Sequence, residues 1–548
     1  MSLTELIAEL ARPEALGHPP GTPVEVVQTH ISVVFLVGDE VFKLKKPRSL
    51  EFLDYSTLER RRHFCALEVQ LNRRLAPEVY LGVVEIRRDA AGQLRVEGPG
   101  EVVDVAVHMR RMPDAATLAS RLANPLASHL TPGRVDAALL RRIGGKVQGF
   151  HRAARRGPEV SAFATFNAVA ANARQNFAQL AGLAAIDERL LTTLERCTEE
   201  ALTRHHDLIE ARARRQVACD THGDLRLEHL YVFPERPPPR DLVILDCIEF
   251  SDQFRCADPI ADLAFLVMDL RRVDHPELAA ALLTGYFNAY DAPLAALPDG
   301  VDAAAERAES RTLLPLYVAY RATVRGKVEA FKAAEPEVPP AAAKAAHLAA
   351  QRYLLLALHE LQPPALRPCL VLIAGLPGTG KSTLARALAA EGLRWVRSDA
   401  VRKQLAGLTP ETPTRAAPDT GLYTPAWTQR TYQRCLDLTR AALLAGERVV
   451  VDANFRQASQ RAPFVALARE LGVPLQIFVC EADPTVVEDR LSRRTGDASD
   501  ADVAIYRAAR ASWEPVALEL DATVIDTTGA PDAAAAAVLH ALARRDLA

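Results

Sequence analysis

Residues 369–392, CLVLIAGLPGTGKSTLARALAAEG, decide the fold of the C-terminal part of the chain. The apolar run at 369–374 is typical of a strand that is buried on both faces, as in a parallel sheet. TLARALAAEG, which ends the stretch, has the periodicity of a helix. Between them, GLPGTGKS at 375–382 has the glycine spacing of a tight strand-to-helix loop. The stretch therefore predicts the start of an α/β domain with a parallel sheet.

The loop at 375–382 matches the pattern G-x-x-x-x-G-K-[ST] in full. In such a loop the backbone N–H groups point at phosphate oxygens, and the N-terminus of the following helix adds positive potential. Lys381 would reach the β- and γ-phosphates of a nucleotide, and the Ser382 hydroxyl would bind Mg²⁺. We predict that the nucleotide is bound by Gly375, Gly378, Thr379, Gly380, Lys381, Ser382 and Thr383.

Charged residues suited to phosphoryl transfer follow this loop. Asp399 and Arg402 lie about one helical turn apart at the end of the predicted strand LRWVRSD. A carboxylate there would take a proton from a hydroxyl beside an arginine that holds the acceptor. A further predicted strand, in RVVVDANFR, ends in Asp452, which would hold Mg²⁺ through water. Arg490 and Arg494 share one face of a later helix, from which they would neutralise charge developing on the phosphates.

Together these residues resemble the small P-loop kinases, specifically the group of polynucleotide kinases, zeta toxins and gluconate kinases. The resemblance covers residues 369–548. It implies an α/β P-loop NTPase fold, in which helices flank a parallel sheet, and transfer of a phosphoryl group from ATP to a hydroxyl with the help of Mg²⁺. Asp399, Arg402, Arg490 and Arg494 would then be the catalytic residues.

The N-terminal part of the chain has a different pattern. Residues 24–46 predict a β-meander of three short strands, and helical periodicity follows at 56–75. From 115 to 215 the chain is mostly helical in pattern, and helix resumes after a strand-rich patch and continues to about 332. A small β-rich lobe followed by a large helical lobe is the predicted outcome.

Two motifs in this part carry chemistry. The first is HGDLRLEHLYV at 222–232, which has the form H-x-D-x-x-x-x-N with His229 at the position of the Asn. The second is VILDCIEF at 243–250, which places Asp246 after a strand. In the kinase mechanism, the first Asp orients and deprotonates the acceptor hydroxyl, and the second binds the metal ions beside the phosphates. Asp224 and Asp246 occupy these two positions.

These motifs resemble the aminoglycoside-phosphotransferase branch of the protein-kinase-like fold, over residues 24–330. The resemblance implies an α+β bilobal fold in which Asp224 is the catalytic base and Asp246 a Mg²⁺ ligand. It also implies a phosphate-binding lysine on the third strand, paired with Glu68 on the helix. Lys43 and Lys45 lie on the same face of that strand, so the pattern does not choose between them.

His229 departs from the family pattern, because it stands where an asparagine would bind a second Mg²⁺. A neutral imidazole can bind a metal, although it suits Mg²⁺ less well than an oxygen ligand. Either this lobe tolerates the change, with His229 as a metal ligand, or it binds nucleotide without efficient turnover.

Composition excludes several classes of protein. The 548 residues contain 66 Lys and Arg against 69 Asp and Glu, which makes a protein devoted to binding long nucleic acid unlikely. Eight scattered cysteines form neither a disulfide framework nor a zinc motif. The N-terminus lacks the features of a signal peptide and no apolar run reaches membrane-spanning length, so we expect a cytoplasmic protein with no membrane partner.

The predicted organisation has two domains. A kinase-like domain at 1–332 is followed by an Ala- and Pro-rich connector at 333–368 and a P-loop kinase domain at 369–548. This combination resembles bacterial two-domain proteins described as bifunctional aminoglycoside phosphotransferase-like and ATP-binding. We expect two ATP sites that phosphorylate a small-molecule hydroxyl, such as that of a sugar, a sugar acid or an aminoglycoside-like compound.

Two other functions are compatible with the sequence. In one, a single active P-loop kinase carries a regulatory pseudokinase lobe that binds nucleotide. In the other, the acceptor is a nucleic-acid end or a nucleotide sugar, as in polynucleotide kinases and zeta toxins. Strong dependence of RNA binding on salt would favour this second alternative.

Overall fold

The computed structural model describes residues 2–50, 53–123, 134–183, 186–289, 302–410, 412, 420–493, 499, 501–516 and 522–547. The chain divides into two compact units. Unit 1 comprises Met1–Ala171 and His205–Val318, and unit 2 comprises Asn172–Arg204 and Ala319–Ala548. The segment at 333–368, interpreted from sequence as a connector, thus lies within unit 2.

A six-stranded antiparallel sheet forms the first part of unit 1. The strands of this part of the chain are β1 (Val24–Gln28), β2 (Ser32–Val37), β3 (Glu40–Lys45), β4 (Ser49–Leu50), β5 (Leu53–Asp54), β6 (Tyr80–Arg88), β7 (Leu94–Val96) and β8 (Glu101–Arg110). The order in the sheet is β1-β2-β3-β8-β6-β7, while β4 and β5 pair as a separate hairpin. The meander predicted at 24–46 corresponds to β1, β2 and β3.

The sheet buries both of its faces, because a helix covers each. On one face, alternate residues such as Phe35 and Phe42 pack with helix α1 (Leu3–Leu10). On the other, Val105 and Val107 pack with helix α2 (Leu58–Asn72). Successive side chains of a strand point to opposite faces, so the lysines of β3 lie on the side of α2. This alternation brings them toward the helix that carries Glu68.

The rest of unit 1 is mainly helical. Its helices, some of which continue into unit 2, are α3 (Leu118–Ala123), α4 (Ala137–Ala153), α5 (Pro158–Ser161), α6 (Phe166–Leu180), α7 (Glu188–Arg214), α8 (Asp252–Arg255), α9 (Pro259–Arg272), α10 (Pro276–Asn288) and α11 (Ala303–Ala334). Four short strands complete it, namely β9 (Cys219–Asp220), β10 (Leu230–Val232), β11 (Leu242–Ile244) and β12 (Cys256–Ala257). β10 pairs with β11, and β9 with β12, both antiparallel. The two predicted chemical motifs flank these short strands.

Two glycines allow α4 and α10 to approach closely. A Cβ atom on Gly144 would lie 2.2 Å from the carbonyl oxygen of Leu282, and one on Gly285 would lie 2.0 Å from that of Arg141. Both distances are far below van der Waals contact, and the opposing atoms belong to the backbone. The two helices can therefore keep this spacing only with glycine at both positions.

Unit 2 contains a five-stranded parallel sheet flanked by helices. Its further elements are α12 (Pro340–Leu361), β13 (Leu370–Gly375), α13 (Lys381–Ala390), β14 (Arg394–Arg397), α14 (Ser398–Leu405), α15 (Pro425–Leu444), β15 (Val449–Asp452), α16 (Ala458–Leu471), β16 (Leu475–Glu481), α17 (Pro484–Arg493), α18 (Val503–Ala511), β17 (Thr523–Asp526) and α19 (Pro531–Ala543). The order is β14-β15-β13-β16-β17. Every residue of β13 is buried, as its apolar run predicts. The predicted fold class is confirmed for both parts of the chain.

Gly144→Ala should destabilise unit 1 because the added methyl group would collide with the α10 backbone. We expect a loss of about 1–3 kcal/mol, the range typical of overpacking. The matched control is Gly145→Ala in the same helix, where a Cβ atom meets nothing within 4 Å. That variant should be neutral or more stable by up to about 1 kcal/mol, since alanine favours helix. Urea unfolding followed by circular dichroism measures both, and equal midpoints would contradict the explanation.

Candidate functional site

A buried carboxylate, that of Asp262 in α9, holds the loop that carries Asp224. The backbone N–H groups of His222 and Gly223 donate to its two oxygens at 3.0 and 2.9 Å. The His151 ring lies 3.0 Å from Asp262 Oδ2. Burial opposes ionisation of Asp262, but these hydrogen bonds and the neighbouring histidines lower its pKa to about 2. Asp262 is therefore an anion that fixes the loop.

The two histidines of the loop have defined orientations. His222 is buried, which lowers its pKa, and its Nε2 lies 2.8 Å from the carbonyl oxygen of Leu245. His229 Nδ1 lies 2.8 Å from the carbonyl oxygen of Asp224. Because a carbonyl only accepts hydrogen bonds, both ring nitrogens carry hydrogen. The Asp224 carboxylate remains partly exposed, so an acceptor hydroxyl can reach it.

The structure separates the two lysines that the sequence pattern left equivalent. Lys43 Nζ lies 2.9 Å from Glu68 Oε1 and 2.9 Å from Asp246 Oδ1. Lys45 Nζ lies 2.7 Å from the other oxygen of Glu68 and also bonds Glu249. The Lys45 side chain is fully buried, whereas 19% of that of Lys43 is exposed. Lys43 is thus the lysine placed beside Asp246.

Asp246 occupies a strained turn after β11. Its φ is 65°, in the left-handed region, and its N–H donates to the Tyr80 hydroxyl at 3.3 Å. The Lys43 ammonium holds the pKa of Asp246 well below its usual range. The half-exposed carboxylate is therefore ionised and accessible, and His229 Nε2 faces its second oxygen at 3.8 Å. An ionised, accessible carboxylate of this kind suits a divalent cation bound beside phosphates.

Glu249 and Tyr55 are site residues that sequence reasoning missed. The Tyr55 hydroxyl donates to Glu249 Oε1 at 2.7 Å, and burial raises the pKa of this tyrosine. Burial would lower the pKa of Lys45, but the charges of Glu249 and Glu68 raise it above its ordinary value. The sequence did contain a sign of this role, because Glu249 is the one acidic residue among the apolar neighbours of CIEF. A carboxylate in such a buried segment needs a positively charged or hydrogen-bonding partner.

The phosphate-binding loop of unit 2 depends on glycine at close approaches. Gly375 has a φ of 144°, and a Cβ atom there would lie 2.6 Å from the Cys480 carbonyl oxygen. Gly378 has a φ of 80°, and its Cβ atom would lie 2.9 Å from side-chain carbons of Val487 and Leu491. These positions let the loop backbone pass closely over β16 and α17. The loop also begins α13, as predicted.

A cavity of about 390 Å³ opens over this loop. Among its lining residues are Gly378, Gly380, Lys381, Ser382, Thr383 and Arg490. Lys381 Nζ donates to the carbonyl oxygen of Leu376 at 2.8 Å, so the ammonium group lies over its own loop. The structure thus brings together the loop residues and Arg490, an arginine that comes more than a hundred positions later in the chain.

Arg490 is held by the segment after β17. Its Nη2 donates to the Thr527 carbonyl oxygen at 2.8 Å, and the Thr527 hydroxyl donates to the Thr379 carbonyl oxygen at 2.6 Å. Thr527 therefore connects the arginine to the phosphate loop. Arg490 Nη1 is buried and has no hydrogen-bond partner within the described part of the chain. Arg494, predicted on the same helix face, lies outside the described residues.

Asp452 lies at the carboxyl end of β15 beside the loop. It is buried, and its Oδ2 has no hydrogen-bond partner among the described residues. Burial raises the pKa of Asp452 and the charge of Asp399 adds to this, while Lys381 and the Ser382 hydroxyl lower it. Arg397 Nε lies 3.8 Å from Oδ2, beyond hydrogen-bond distance. A buried carboxylate oxygen that accepts no hydrogen bond fits a cation site, because a cation would supply a closer interaction.

Arg402 has a different environment from the one that the sequence suggested. It is buried, and its Nη1 donates to the Leu422 carbonyl oxygen at 2.8 Å and to the Thr428 hydroxyl at 3.3 Å. Its guanidinium also lies over the Tyr423 ring, 4.9 Å from the centroid. In this structure Arg402 holds the start of α15, while Asp399, three residues earlier, is only partly buried.

Comparisons with known proteins agree with this geometry. Residues 58–297 match the family model described as Phosphotransferase enzyme family, and residues 370–516 match the one described as AAA domain. Uncharacterized proteins of Mycobacterium tuberculosis and Mycobacterium bovis are each 33% identical to this chain over 497 residues, which is 90% of this chain and 91% of the relative. The chain belongs to their family. It combines an aminoglycoside-phosphotransferase-type domain with a P-loop kinase-like domain, and it is a kinase.

Solved structures of kinases also resemble parts of this chain. A gluconokinase from Sinorhizobium meliloti 1021 is 21% identical and covers 33% of this chain and 94% of its own, with a TM-score of 0.24. A choline/ethanolamine kinase family protein from Mesorhizobium loti is 14% identical and covers 66% of this chain and 99% of its own, with a TM-score of 0.34. Both TM-scores are low, so the assignment rests on the family models and the mycobacterial relatives. Within the described part of the chain, every helix is too short or too polar to span a bilayer.

Lys45→Met should destabilise unit 1 far more than Lys43→Met. Removing Lys45 takes away a fully buried partner of Glu68 and Glu249, and breaking a buried ion pair costs about 3–5 kcal/mol. Lys43 is partly exposed, and its loss leaves Glu68 paired with Lys45, so we expect about 1 kcal/mol or less. Urea unfolding measures both. In the double variant Lys45→Met with Glu249→Met, part of the loss should be recovered, and no recovery would contradict the pairing.

Proposed function

We propose that this kinase transfers the γ-phosphoryl group of ATP to a hydroxyl group of a small molecule at two separate sites. One observation carries the proposal: the candidate site of each unit contains a lysine and a carboxylate suited to a divalent cation. In unit 1 these are Lys43 and Asp246, 2.9 Å apart. In unit 2 they are Lys381, which lines the cavity over the loop, and Asp452, whose Oδ2 accepts no hydrogen bond from the described residues and has Arg397 Nε 3.8 Å away. A sugar, a sugar acid or an aminoglycoside-like compound is the proposed acceptor, rather than long nucleic acid.

In unit 1, Asp224 acts as the general base. Its backbone is held by the neighbouring contacts to Asp262, while its carboxylate stays accessible to an acceptor hydroxyl. Lys43, kept in place by Glu68, binds phosphate oxygens. Asp246 and His229 would hold the divalent cation, Mg²⁺ in the kinase pattern, and the cation would supply positive charge to neutralise the phosphates.

In unit 2, the phosphate loop supplies backbone N–H groups and Lys381 to the phosphates. Ser382 and Asp452 would hold Mg²⁺. Arg490 lies with Ser382 on the wall of the cavity, where its charge stabilises the transferred group. Asp399, at the start of α14, is the proposed base. Arg402 acts indirectly, because its hydrogen bonds to the Leu422 carbonyl and the Thr428 hydroxyl keep the start of α15 in place.

A second function is favoured by one specific observation, the histidine at 229. With an imidazole in place of the usual amide oxygen, unit 1 would bind nucleotide without efficient transfer and regulate the P-loop kinase. The two functions differ in whether any product depends on Asp224.

To test the proposal, the full-length protein is incubated with ATP and either Mg²⁺ or Mn²⁺ and a pooled library of sugars, sugar acids, aminoglycosides, nucleosides and oligonucleotides. Mass spectrometry then detects acceptors that have gained one phosphoryl group. Asp224→Asn should remove one set of products and Lys381→Ala another. If all products depend on Lys381 and none on Asp224, unit 1 is regulatory; phosphorylation of oligonucleotides alone would instead indicate a nucleic-acid-end kinase.

Asp399→Asn should reduce transfer at the P-loop site by about 100- to 10,000-fold, as expected for loss of a general base. Nucleotide affinity should stay within about 3-fold, since Asp399 is not among the residues that line the nucleotide cavity. Turnover of the Lys381-dependent product and isothermal titration with a non-hydrolysable ATP analogue measure the two effects. Parallel losses in turnover and affinity would make Asp399 a structural residue.

A further inference from the structure

His229 is oriented as a metal ligand in unit 1. Its Nδ1 lies 2.8 Å from the carbonyl oxygen of Asp224, an atom that only accepts, so Nδ1 carries the ring hydrogen. In the neutral ring, Nε2 then holds the free lone pair. Only 14% of the side chain is exposed, and the ring lies 6.2 Å from that of His222, so its surroundings limit rotation. A ring nitrogen held by a backbone carbonyl in this way is the usual arrangement of histidines that bind metals.

The free nitrogen faces Asp246 across a gap. His229 Nε2 and Asp246 Oδ2 are 3.8 Å apart, which is too long for a hydrogen bond. Two ligands at right angles around one cation, each about 2.1 Å from it, are about 3 Å apart. A shift of less than an ångström would therefore let both atoms bind one ion. Asp246 Oδ1 is occupied by Lys43, so Oδ2 is the oxygen that faces the histidine.

Glu228 is the other acidic group close to this nitrogen. Its Oε1 lies 3.7 Å from His229 Nε2, but the same oxygen accepts a hydrogen bond from Arg226, and half of the side chain is exposed. Within the described ranges, no three His, Cys, Asp or Glu side chains form a metal site by themselves. Two side chains would therefore need phosphate oxygens of a bound nucleotide to complete the ligands of the cation, as is common in kinases.

We propose that unit 1 has a mixed nitrogen–oxygen cation site, formed by His229 and Asp246, that selects Mn²⁺ over Mg²⁺ in the presence of nucleotide. The inference rests on the proposed function, because it needs nucleotide phosphates at this site. Mg²⁺ strongly prefers oxygen ligands, whereas imidazole binds first-row transition metals well. An asparagine at position 229 would present an amide oxygen instead and suit Mg²⁺. The histidine thus changes the preferred cation rather than disabling the lobe.

The test uses the full-length Lys381→Ala chain, in which the P-loop site is silenced, with a non-hydrolysable ATP analogue. Mn²⁺ is the probe, and pulsed electron paramagnetic resonance detects coupling between bound Mn²⁺ and an imidazole nitrogen. We expect this coupling with His229 present and its loss in His229→Asn. The ratio of Mn²⁺ to Mg²⁺ affinity, from competition titrations, should fall about 10-fold or more in that variant. The matched control is Glu228→Gln, at the residue next to His229 in the sequence. This variant should keep both the nitrogen coupling and the ratio of Mn²⁺ to Mg²⁺ affinity.

Three outcomes would overturn the inference. The first is bound Mn²⁺ without nitrogen coupling in the chain that retains His229, a result that does not depend on how any 229 variant folds. The second is an unchanged affinity ratio in His229→Asn, and the third is an equal loss in Glu228→Gln. The proposed function is judged separately, by Asp224-dependent transfer with either cation. Phosphoryl transfer without Mn²⁺–nitrogen coupling would contradict only the proposed cation site. Mn²⁺–nitrogen coupling without phosphoryl transfer would contradict only the catalytic role of unit 1.

Discussion

The buried carboxylate of Glu68 is the constraint on which the site of unit 1 depends. A carboxylate without water needs positive partners, and both of its oxygens have one, Lys43 on one side and Lys45 on the other. Lys43 also forms an ion pair with Asp246, and Lys45 forms one with Glu249. These ion pairs join helix α2, strand β3 and the segment after β11. The geometry of the candidate site in unit 1 is therefore set by electrostatic pairing between these side chains.

The two units meet the same chemical requirement with different means. For the proposed function, both must offer positive charge to phosphates and negative charge to a divalent cation. Unit 1 uses side chains from distant segments, with Lys43 and Asp246 already in contact. Unit 2 uses a glycine-rich loop that lines a cavity at the start of a helix, together with Lys381 of the loop and the strand-end Asp452. The second solution is mostly local in sequence, whereas the first requires the folded lobe.

This difference explains what could be predicted. The phosphate loop, the strand-end position of Asp452 and the parallel sheet follow from short-range patterns, and the structure contains each of them. Arg402 was expected to hold the acceptor because it lies one helical turn from Asp399 in the sequence. In the structure, its guanidinium instead donates to the Leu422 carbonyl oxygen and the Thr428 hydroxyl. Sequence distance places two residues on one helix, but it does not show which loop packs against them.

The sequence by itself determined the class of both domains and indicated candidate reactive groups, because hydrophobic period, glycine spacing and strand-end carboxylates are local properties of the chain. Only the tertiary structure decided which lysine faces Asp246, since Lys43 and Lys45 share one strand face. The tertiary structure also decided that Lys45 pairs with Glu249, which lies 204 positions later in the chain. It placed the Nε2 atom of His229 opposite Asp246. Such pairings depend on the fold, because a buried charge needs a partner and that partner can come from any segment that packs against it.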